Sequence, residues 1–315
     1  MAKASIAVIG GGLMGAGIAQ VFAAAGHRVV VQDPVDAVRN TVLARIREGL
    51  VQVGADPDLS GNVTVTPDLR DAVRDAAFVT EAAPEKLELK RAIFTQLVEY
   101  APRDAILASN SSVMPIGDIA NGLPTAERIV GTHWWNPAVL IPLVEVTQGA
   151  ATSIDTVEAT MRLLESVGKR PAHVRKDVAG FVANRLQHAL WREAIAMVAD
   201  GICDARTIDD CVKNSFGLRL AVLGPLENAD LVGIDLTRDI HRTILPELNR
   251  DAQPNAILDR LIADGRLGFK SGEGFQSWSG DEQAALRGRL IDHLLAARET
   301  GNDVPLLQTT DILNG

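Results

Sequence analysis

Short apolar runs of strand length alternate with amphipathic helical segments along the first 180 residues of the chain. The segments "EKLELKRAIFTQLVEYA" and "DTVEATMRLLESVG" repeat apolar residues every three or four positions, so each would lay one face on a sheet. Such alternation predicts an α/β fold with a mainly parallel, doubly wound sheet. After "SIAVI" and "RVVVQD", the predicted strands lie at residues 63–66, 78–82, 106–110, 129–134, 143–146 and 172–175.

The pattern changes near Gly180, after which strand-like runs disappear and the periodic segments are helical. The clearest of these segments are "FVANRLQHALWREAIAMVADG", "NAILDRLIADG" and "AALRGRLIDHLLAARE". The sequence therefore predicts two domains, a sheet domain over residues 1–180 and an all-helical domain over residues 181–315. A chain of 315 residues with 47% apolar residues can bury a core in each.

The composition argues against several classes of partner and location. A formal net charge of −9 disfavours a nucleic-acid or anionic membrane surface, because phosphate-rich partners need clustered Lys and Arg. No apolar run approaches the roughly 20 residues of a membrane helix, and the N-terminus lacks the features of a signal peptide. We expect a cytoplasmic protein without a metal site, in which Cys203 and Cys211 are reduced and buried.

A glycine cluster follows the first predicted strand and opens a helix within residues 5–33. Gly10 permits a tight turn, Gly12 lets the backbone approach a pyrophosphate, and Gly15 lets the helix pack closely on the strand. Asp33 follows the second strand, where a carboxylate accepts hydrogen bonds from ribose hydroxyls and repels a 2′-phosphate. The pattern predicts a Rossmann-type dinucleotide site that prefers NAD to NADP.

The first turn of that helix is expected to supply further contacts to the cofactor phosphates. Backbone N–H groups at a helix N-terminus lack intrahelical acceptors and attract an anion. Leu13 and Met14 are therefore predicted to contact the cofactor together with the glycines. The alternative, a glycine-rich turn without a ligand, fits this strand–turn–helix context poorly.

One histidine and one carboxylate stand out in "GTHWWNPAVLIPLVEV", residues 131–146. His133 ends one predicted strand and Glu145 lies in the next, so their side chains could meet where doubly wound sheets bind ligands. A neutral imidazole can take a proton near neutral pH while a carboxylate fixes its tautomer. The pair is a candidate acid–base dyad, although a histidine at a strand end is more often structural.

Two further polar groups are candidates for ligand binding. The segment "ASNSSVMPI" places Ser109, Asn110, Ser111 and Ser112 directly after another predicted strand, where their hydroxyls could hold a substrate, although a Ser/Asn turn that caps the next helix explains the same residues. Asn184 stands among Leu, Phe and Val on the first helix of the second domain, where a buried amide needs hydrogen-bond partners.

In these motifs the sequence resembles the L-3-hydroxyacyl-CoA dehydrogenase superfamily, from "GGGLMGAG" to "RLGFKSGEGF". The segments "GTHWWNP", "PLVEV", "SNSSVMPI", "AGFVANRL" and "EAAPEKLELKRAIF" are each similar to a motif of that superfamily. The resemblance implies that His133 and Glu145 form the catalytic dyad and that Ser112 and Asn184 bind and orient the substrate. It also implies that Asn136 contacts the substrate beside the dyad.

The resemblance extends to the cofactor, the reaction and the assembly. It implies that Glu85, Lys90 and Asn110 contact NAD. The implied reaction oxidises a secondary 3-hydroxyl: His133 removes the hydroxyl proton and hydride passes to NAD. The segment "LGPLENADLVGID" resembles the part of the helical domain that builds a homodimer interface in the family.

Departures from the family pattern concern the substrate. Acyl-CoA members carry a lysine-bearing helical hairpin that helps hold the CoA phosphates, whereas residues 34–67 contain no lysine and offer only Arg39, Arg45 and Arg47 as substitutes. Pro142 replaces a frequent lysine, and the motifs lean toward the branch of gulonate dehydrogenase, λ-crystallin and the carnitine dehydrogenases. Two substrates stay open, a small or cyclic 3-hydroxy acid and a short 3-hydroxyacyl-CoA.

Two other functional classes fit parts of the pattern. The 6-phosphogluconate-like β-hydroxyacid dehydrogenases share the opening glycines, but their catalytic lysine has no counterpart in "GFVANRLQHAL". A catalytically retired NAD-binding structural or sensory protein could have lost the dyad, Ser112 or Asn184, and this sequence keeps them all.

Overall fold

The computed structural model describes residues 3–300; the outermost residues of the two predicted domains, 1–2 and 301–315, lie outside the described residues. By its internal contacts the chain separates into two units. The first joins the residues up to Asn184 with those from Asp292 onward, and the second is Arg185–Ile291. The domain boundary between residues 180 and 181 stays a prediction. It lies close to the division between Asn184 and Arg185.

The first unit contains one eight-stranded sheet with the order β3-β2-β1-β4-β5-β6-β7-β8. All neighbouring strands are parallel except β6 and β7, which are antiparallel. The predicted Rossmann-type, mainly parallel sheet is therefore confirmed. The strands are β1 (Ser5–Ile9), β2 (Arg28–Gln32), β3 (Val63–Thr66), β4 (Phe78–Glu81), β5 (Ile106–Ser109), β6 (Ile129–Trp134), β7 (Leu143–Thr147) and β8 (Arg170–Val174).

Alternate residues of the central strands build two apolar cores on the two faces of this sheet. Ile6 and Val8 of β1 belong to one core, and Ala7 and Ile9 belong to the other, as the two-residue period of a strand requires. The helices that follow the strands cover these faces: α1 (Leu13–Ala24), α2 (Asp36–Gln52), α3 (Leu69–Val73), α4 (Leu87–Tyr100), α5 (Ile116–Ala120) and α6 (Ile154–Ser166).

The second unit consists of helices and short turns, which confirms the all-helical prediction. Its described strand-like features are isolated bridges around Glu273. The prediction that Cys203 and Cys211 are buried is wrong: Cys203, before α8, is partly exposed, and Cys211 is exposed because α8 buries only Ile208. The helices from this part of the chain are α7 (Ala183–Ala199), α8 (Ala205–Lys213), α9 (Pro225–Val232), α10 (Ile234–Ile244), α11 (Ala256–Ala263) and α12 (Gly280–Thr300).

Among the described residues, no helix combines the length and the apolar character needed to cross a membrane. The cytoplasmic location stays a prediction.

Candidate active site

The glycine turn between β1 and α1 has the shape that a dinucleotide site requires. Gly10 has a φ of +101°, and a Cβ atom there would lie 2.8 Å from the carbonyl oxygen of Ala82. A Cβ atom on Gly15 would lie 1.8 Å from the Gly10 carbonyl oxygen, so only glycine lets α1 pack this closely on the turn. A Cβ atom on Gly12 would meet no atom within 4 Å. This open space at the start of α1 fits a pyrophosphate.

Asp33 lies directly after β2, and backbone N–H groups on either side of it in the chain hold its carboxylate where a ribose would bind. Its Oδ2 accepts a hydrogen bond from the Gly11 N–H at 2.8 Å, and its Oδ1 accepts one from the Val35 N–H at 2.9 Å. Each carboxylate oxygen has a second lone pair, so both can still accept from ribose hydroxyls. Leu13 is exposed and Met14 is partly exposed in the first turn of α1. These residues fit the adenosine half of NAD.

A buried charged network lies at the neighbouring ends of β4 and β5. The Lys90 ammonium contacts the two Glu81 carboxylate oxygens at 2.7 and 3.0 Å, and both side chains are fully buried. The Ser109 hydroxyl donates to Glu81 at 2.7 Å, and the Ala83 N–H donates to it at 2.7 Å. Glu81 was not among the predicted site residues, and Ser109 was predicted only as one of the hydroxyls that could hold a substrate. The missed signal was a carboxylate inside the buried strand "FVTE", since such a charge requires a partner.

Glu85 connects this network to the loop after β5. One of its oxygens accepts hydrogen bonds from the Ser111 hydroxyl and from the N–H groups of Ser112 at 3.0 Å and Val113 at 3.3 Å. Its other oxygen lies 3.3 Å from the Lys90 ammonium. Burial raises the pKa of the Glu85 carboxyl, but these donors together with Lys90 lower it by more, so the net pKa lies below its ordinary value.

The two cofactor contacts predicted in this segment differ in their access to solvent. Glu85 is partly exposed, whereas Lys90 is covered and its ammonium faces carboxylates. As placed, the Lys90 ammonium contacts Glu81 and Glu85, and the direct cofactor contact of Glu85 and Lys90 stays a prediction.

His133 and Glu145 lie directly opposite each other in the antiparallel pair of β6 and β7. Nδ1 of His133 is 2.8 Å from Oε2 of Glu145, and the two residues are 4% and 1% exposed. The rings of Trp135 and Phe181 flank the imidazole, with centroid distances of 5.2 and 5.7 Å. Within residues 3–300, Nε2 of His133 has no hydrogen-bond partner. The structure thus brings His133 and Glu145 together and leaves Nε2 as the unpartnered ring nitrogen, and the catalytic role of the pair stays a prediction.

The second oxygen of Glu145 is held by the chain just before and at the start of α7. It accepts hydrogen bonds from the N–H groups of Val182 at 2.9 Å and Ala183 at 3.0 Å. Burial raises the pKa of the Glu145 carboxyl, but the His133 ring and these two N–H groups lower it by more, which leaves the pKa below its ordinary value. The carboxylate thus stays charged beside the imidazole and keeps the proton of the neutral ring on Nδ1.

Asn184 and Ser112 are also brought together, through a side chain and a backbone carbonyl. Nδ2 of Asn184 donates to the Ser112 carbonyl oxygen at 2.9 Å. The hydroxyl of Ser112 has no hydrogen-bond partner in the described part of the chain. Asn110 accepts a hydrogen bond from the Trp134 N–H at 2.9 Å and so ties the loop after β5 to β6. The substrate and cofactor roles of these residues stay predictions.

Asn136 is exposed after β6. It lines a pocket of about 440 Å³ together with residues of α1 and α2, including Leu13, Arg45 and Glu48. No hydrogen bond between described residues joins it to the dyad. Its role in substrate binding stays a prediction. Across residues 3–300, no group of three or more His, Cys, Asp or Glu side chains is placed to hold a metal ion.

Comparisons with sequence families match both parts of the chain. Residues 5–178 match the NAD-binding domain of 3-hydroxyacyl-CoA dehydrogenase, and residues 180–278 match the C-terminal domain of the same family. The chain belongs to the 3-hydroxyacyl-CoA dehydrogenase family. The resemblance noted in the sequence is confirmed, and NAD is the cofactor of this fold.

Members of the family with similar sequences differ in the substrates for which they are named. The chain is 35% identical over 305 residues to 5-formyl-3-hydroxy-2-methylpyridine 4-carboxylate 5-dehydrogenase of Mesorhizobium japonicum, covering 93% of this chain and 97% of the relative. It is 36% identical to L-carnitine dehydrogenase of Streptomyces griseus, covering 94% of this chain and 87% of the relative.

A solved structure agrees with the fold over nearly the whole chain. The crystal structure of 5-formyl-3-hydroxy-2-methylpyridine 4-carboxylic acid 5-dehydrogenase, an NAD+ dependent dismutase, superposes with a TM-score of 0.89 at 31% identity. The match covers 96% of this chain and 100% of the solved one.

Proposed function

We propose that this chain is an NAD-dependent dehydrogenase that oxidises a secondary 3-hydroxyl to a 3-oxo group with His133 as the general base. The observation that carries the proposal is the pairing of His133 with Glu145, which engages Nδ1 and leaves Nε2 without a partner in the described residues. A general base needs such a free nitrogen within reach of the substrate hydroxyl. NAD, when bound, accepts the hydride.

The proton moves to Nε2 of His133, and the carboxylate of Glu145 stabilises the imidazolium that forms. The two N–H groups at the start of α7 hold Glu145 in the orientation for this task. The Ser112 hydroxyl and the Asn184 amide orient the reacting oxygen and the neighbouring carbonyl of the substrate, which lowers the entropy lost in reaching the transition state. The hydrogen bond from Asn184 to the Ser112 carbonyl fixes the amide plane.

The alternative of a retired enzyme is less well supported by this site. A carboxylate as deeply buried as Glu145 costs stability unless it is paired. In a retired enzyme, without selection for activity, substitutions that remove this carboxylate would accumulate. The chain retains the carboxylate, the imidazole and both backbone donors in hydrogen-bonding geometry.

We further propose that the substrate is a small carboxylate without CoA. The CoA phosphates would need cations in the segment after β2, which contains no lysine. The three arginines of that segment already contact acceptors within the protein. Their contacts are Arg39 with the Asp33 carbonyl and Asp36, Arg45 with the Gly11 carbonyl and Thr41, and Arg47 with Asp58.

A substrate panel tests this proposal by NADH formation. The panel contains L-3-hydroxybutyryl-CoA, carnitine, gulonate and the pyridine carboxylate for which the Mesorhizobium relative is named. We expect a free carboxylate to be preferred by about tenfold or more in kcat/KM, because unpaired CoA phosphates gain nothing from the site. Turnover of the thioester alone would contradict the CoA-free assignment, and NAD binding without any turnover would favour the retired alternative.

We also propose a homodimer that forms through the helical unit. Large apolar side chains are concentrated on its surface, where Val222 is 89% and Leu226 is 80% exposed in the single chain. Such a concentration of exposed apolar side chains is typical of a protein interface or an aggregation hazard. The other exposed members of this surface are Leu218, Leu220, Leu231, Ile234 and Leu236.

The homodimer predicts a specific response to one charge at this surface. Leu226→Asp is expected to raise the dimer dissociation constant at least about 100-fold, because an interface would bury an unpaired carboxylate. Light scattering during size-exclusion chromatography measures the mass. Val51→Asp, which changes an exposed apolar residue of α2, should remain dimeric. A monomeric wild type, or a dimer that survives Leu226→Asp, would rule out this interface.

A further inference from the structure

A second pocket of the first unit lies beside the loop that joins β6 to β7. It has a volume of about 510 Å³, within the range of small-molecule sites, and residues of α1, this loop, β8 and α12 line it. Its charged lining residues are all cations, namely Lys169, Arg170 and Arg298, and no described carboxylate lines it. Such a concentration of positive charge is unexpected in a chain with a formal net charge of −9.

Two of these cations repel each other across the pocket. Lys169 is only 7% exposed, and burial together with the nearby charge of Arg298 lowers its pKa to about 8. No ion pair among the described residues includes Arg298. A bound anion would supply the missing negative charge and relieve this repulsion.

A neutral hydrogen-bonding group in the same wall also lacks a partner. Gln20 of α1 lines the pocket and is buried, and its Nε2 has no hydrogen-bond partner among the described residues. Unsatisfied buried donors are rare in folded proteins. Apolar side chains complete the walls, among them Val21, Leu140 and Leu294.

The pocket is separate from the predicted dinucleotide site but adjoins the β6–β7 loop, which lies between His133 and Glu145 in the chain. It contacts the C-terminal half of α1, whose 12 residues span about 18 Å from the glycine turn. The Lys169 ammonium donates to the carbonyl oxygens of Ala138 and Ile141, and it lies 5.5 Å from the centroid of the Trp134 ring. Gln20 also lines the pocket that contains Asn136, so the two pockets are neighbours.

We propose that this pocket binds a small amphipathic organic anion, with its carboxylate or phosphate between Lys169 and Arg298 and its apolar body against Val21, Leu140 and Leu294. The two cations attract the anionic group, and the apolar residues select a ligand with a hydrocarbon body over a bare ion. This site goes beyond the proposed dehydrogenase reaction and does not depend on it.

Titration calorimetry of the NAD-loaded protein tests the site with hexanoate and with inorganic phosphate as probes. Hexanoate is expected to bind the wild type and to lose about tenfold or more in affinity in Arg298→Gln, since the substitution removes a charge-assisted hydrogen bond to the anion. Arg289→Gln provides the matched control, because Arg289 is exposed on the same helix but does not line the pocket.

The affinity for hexanoate should also fall with rising pH, because Lys169 loses its charge. Arg170 on β8 and Arg298 on α12 are the charged groups that line the pocket around Lys169, and α1 and the loop contribute none. The anion favours the charged lysine, so affinity should fall by up to about tenfold as pH rises through 8 to about 9. No binding to the wild type, equal affinity in Arg298→Gln, or phosphate binding as tight as hexanoate would each overturn the proposal.

Discussion

His133→Ala is expected to lower kcat by about 10²- to 10⁴-fold, which is the usual contribution of a positioned general base. The reason is local: the dyad offers one ring nitrogen, Nε2, to a ligand, while Glu145 occupies the other at 2.8 Å. NAD affinity should stay within about twofold, because the residues that fit the pyrophosphate and ribose lie at the glycine turn and at Asp33. Initial rates of NADH formation with the best substrate of the panel measure the first effect, and calorimetry with NAD measures the second.

His173→Ala is a matched control for this substitution. His173 lies on β8, pairs with the Gln148 side chain at 3.1 Å and has no contact with the dyad, so its loss should leave kcat unchanged. His133→Gln retains most of the buried volume and separates loss of the base from loss of packing. A kcat within about tenfold of wild type in both His133 variants would mean that another group takes the proton.

The sequence could predict the meeting of His133 and Glu145 because both lie in consecutive strands of a recognisable sheet. It could not predict that β6 and β7 run antiparallel, which places the two residues directly opposite each other. It also could not predict what orients the carboxylate. That function belongs to two N–H groups at the start of α7, which follow a turn in which Gly180 and Phe181 both have positive φ, at 74° and 49°. Non-glycine residues rarely adopt this conformation, so the residue type at position 181 does not predict the turn.

The predicted cofactor contacts show a different limit of sequence reasoning. Lys90 was predicted from a resemblance, but its partner Glu81 looked like an ordinary end of a buried strand. The reason becomes visible in the register of the sheet, where Glu81 pairs with Ser109 of β5, accepts a hydrogen bond from the Ser109 hydroxyl and contacts the Lys90 ammonium. The sequence could indicate that a carboxylate in this buried strand needs a partner, but which segments supply the partners depends on packing.

Lys90→Met is expected to destabilise the first unit by about 3–5 kcal/mol, because it leaves the fully buried Glu81 carboxylate without its cation. The substitution conserves volume, so lost packing contributes little. Urea unfolding followed by tryptophan fluorescence measures the change, since Trp134 and Trp135 belong to this unit. Lys86→Met, an exposed change directly before α4, should stay within about 0.5 kcal/mol of wild type.

The double substitution Glu81→Gln with Lys90→Met distinguishes an unpaired charge from a general defect of the strand. Removing the carboxylate as well should recover at least about half of the lost free energy of unfolding, because a buried amide costs far less than a buried charge. In Glu81→Gln the Ala83 N–H would keep an acceptor in the glutamine oxygen, and the Ser109 hydroxyl, which now donates to the other carboxylate oxygen, could accept from the glutamine NH2 group. If the double variant is no more stable than Lys90→Met alone, the pairing of Glu81 with Lys90 is not what stabilises this edge of the sheet.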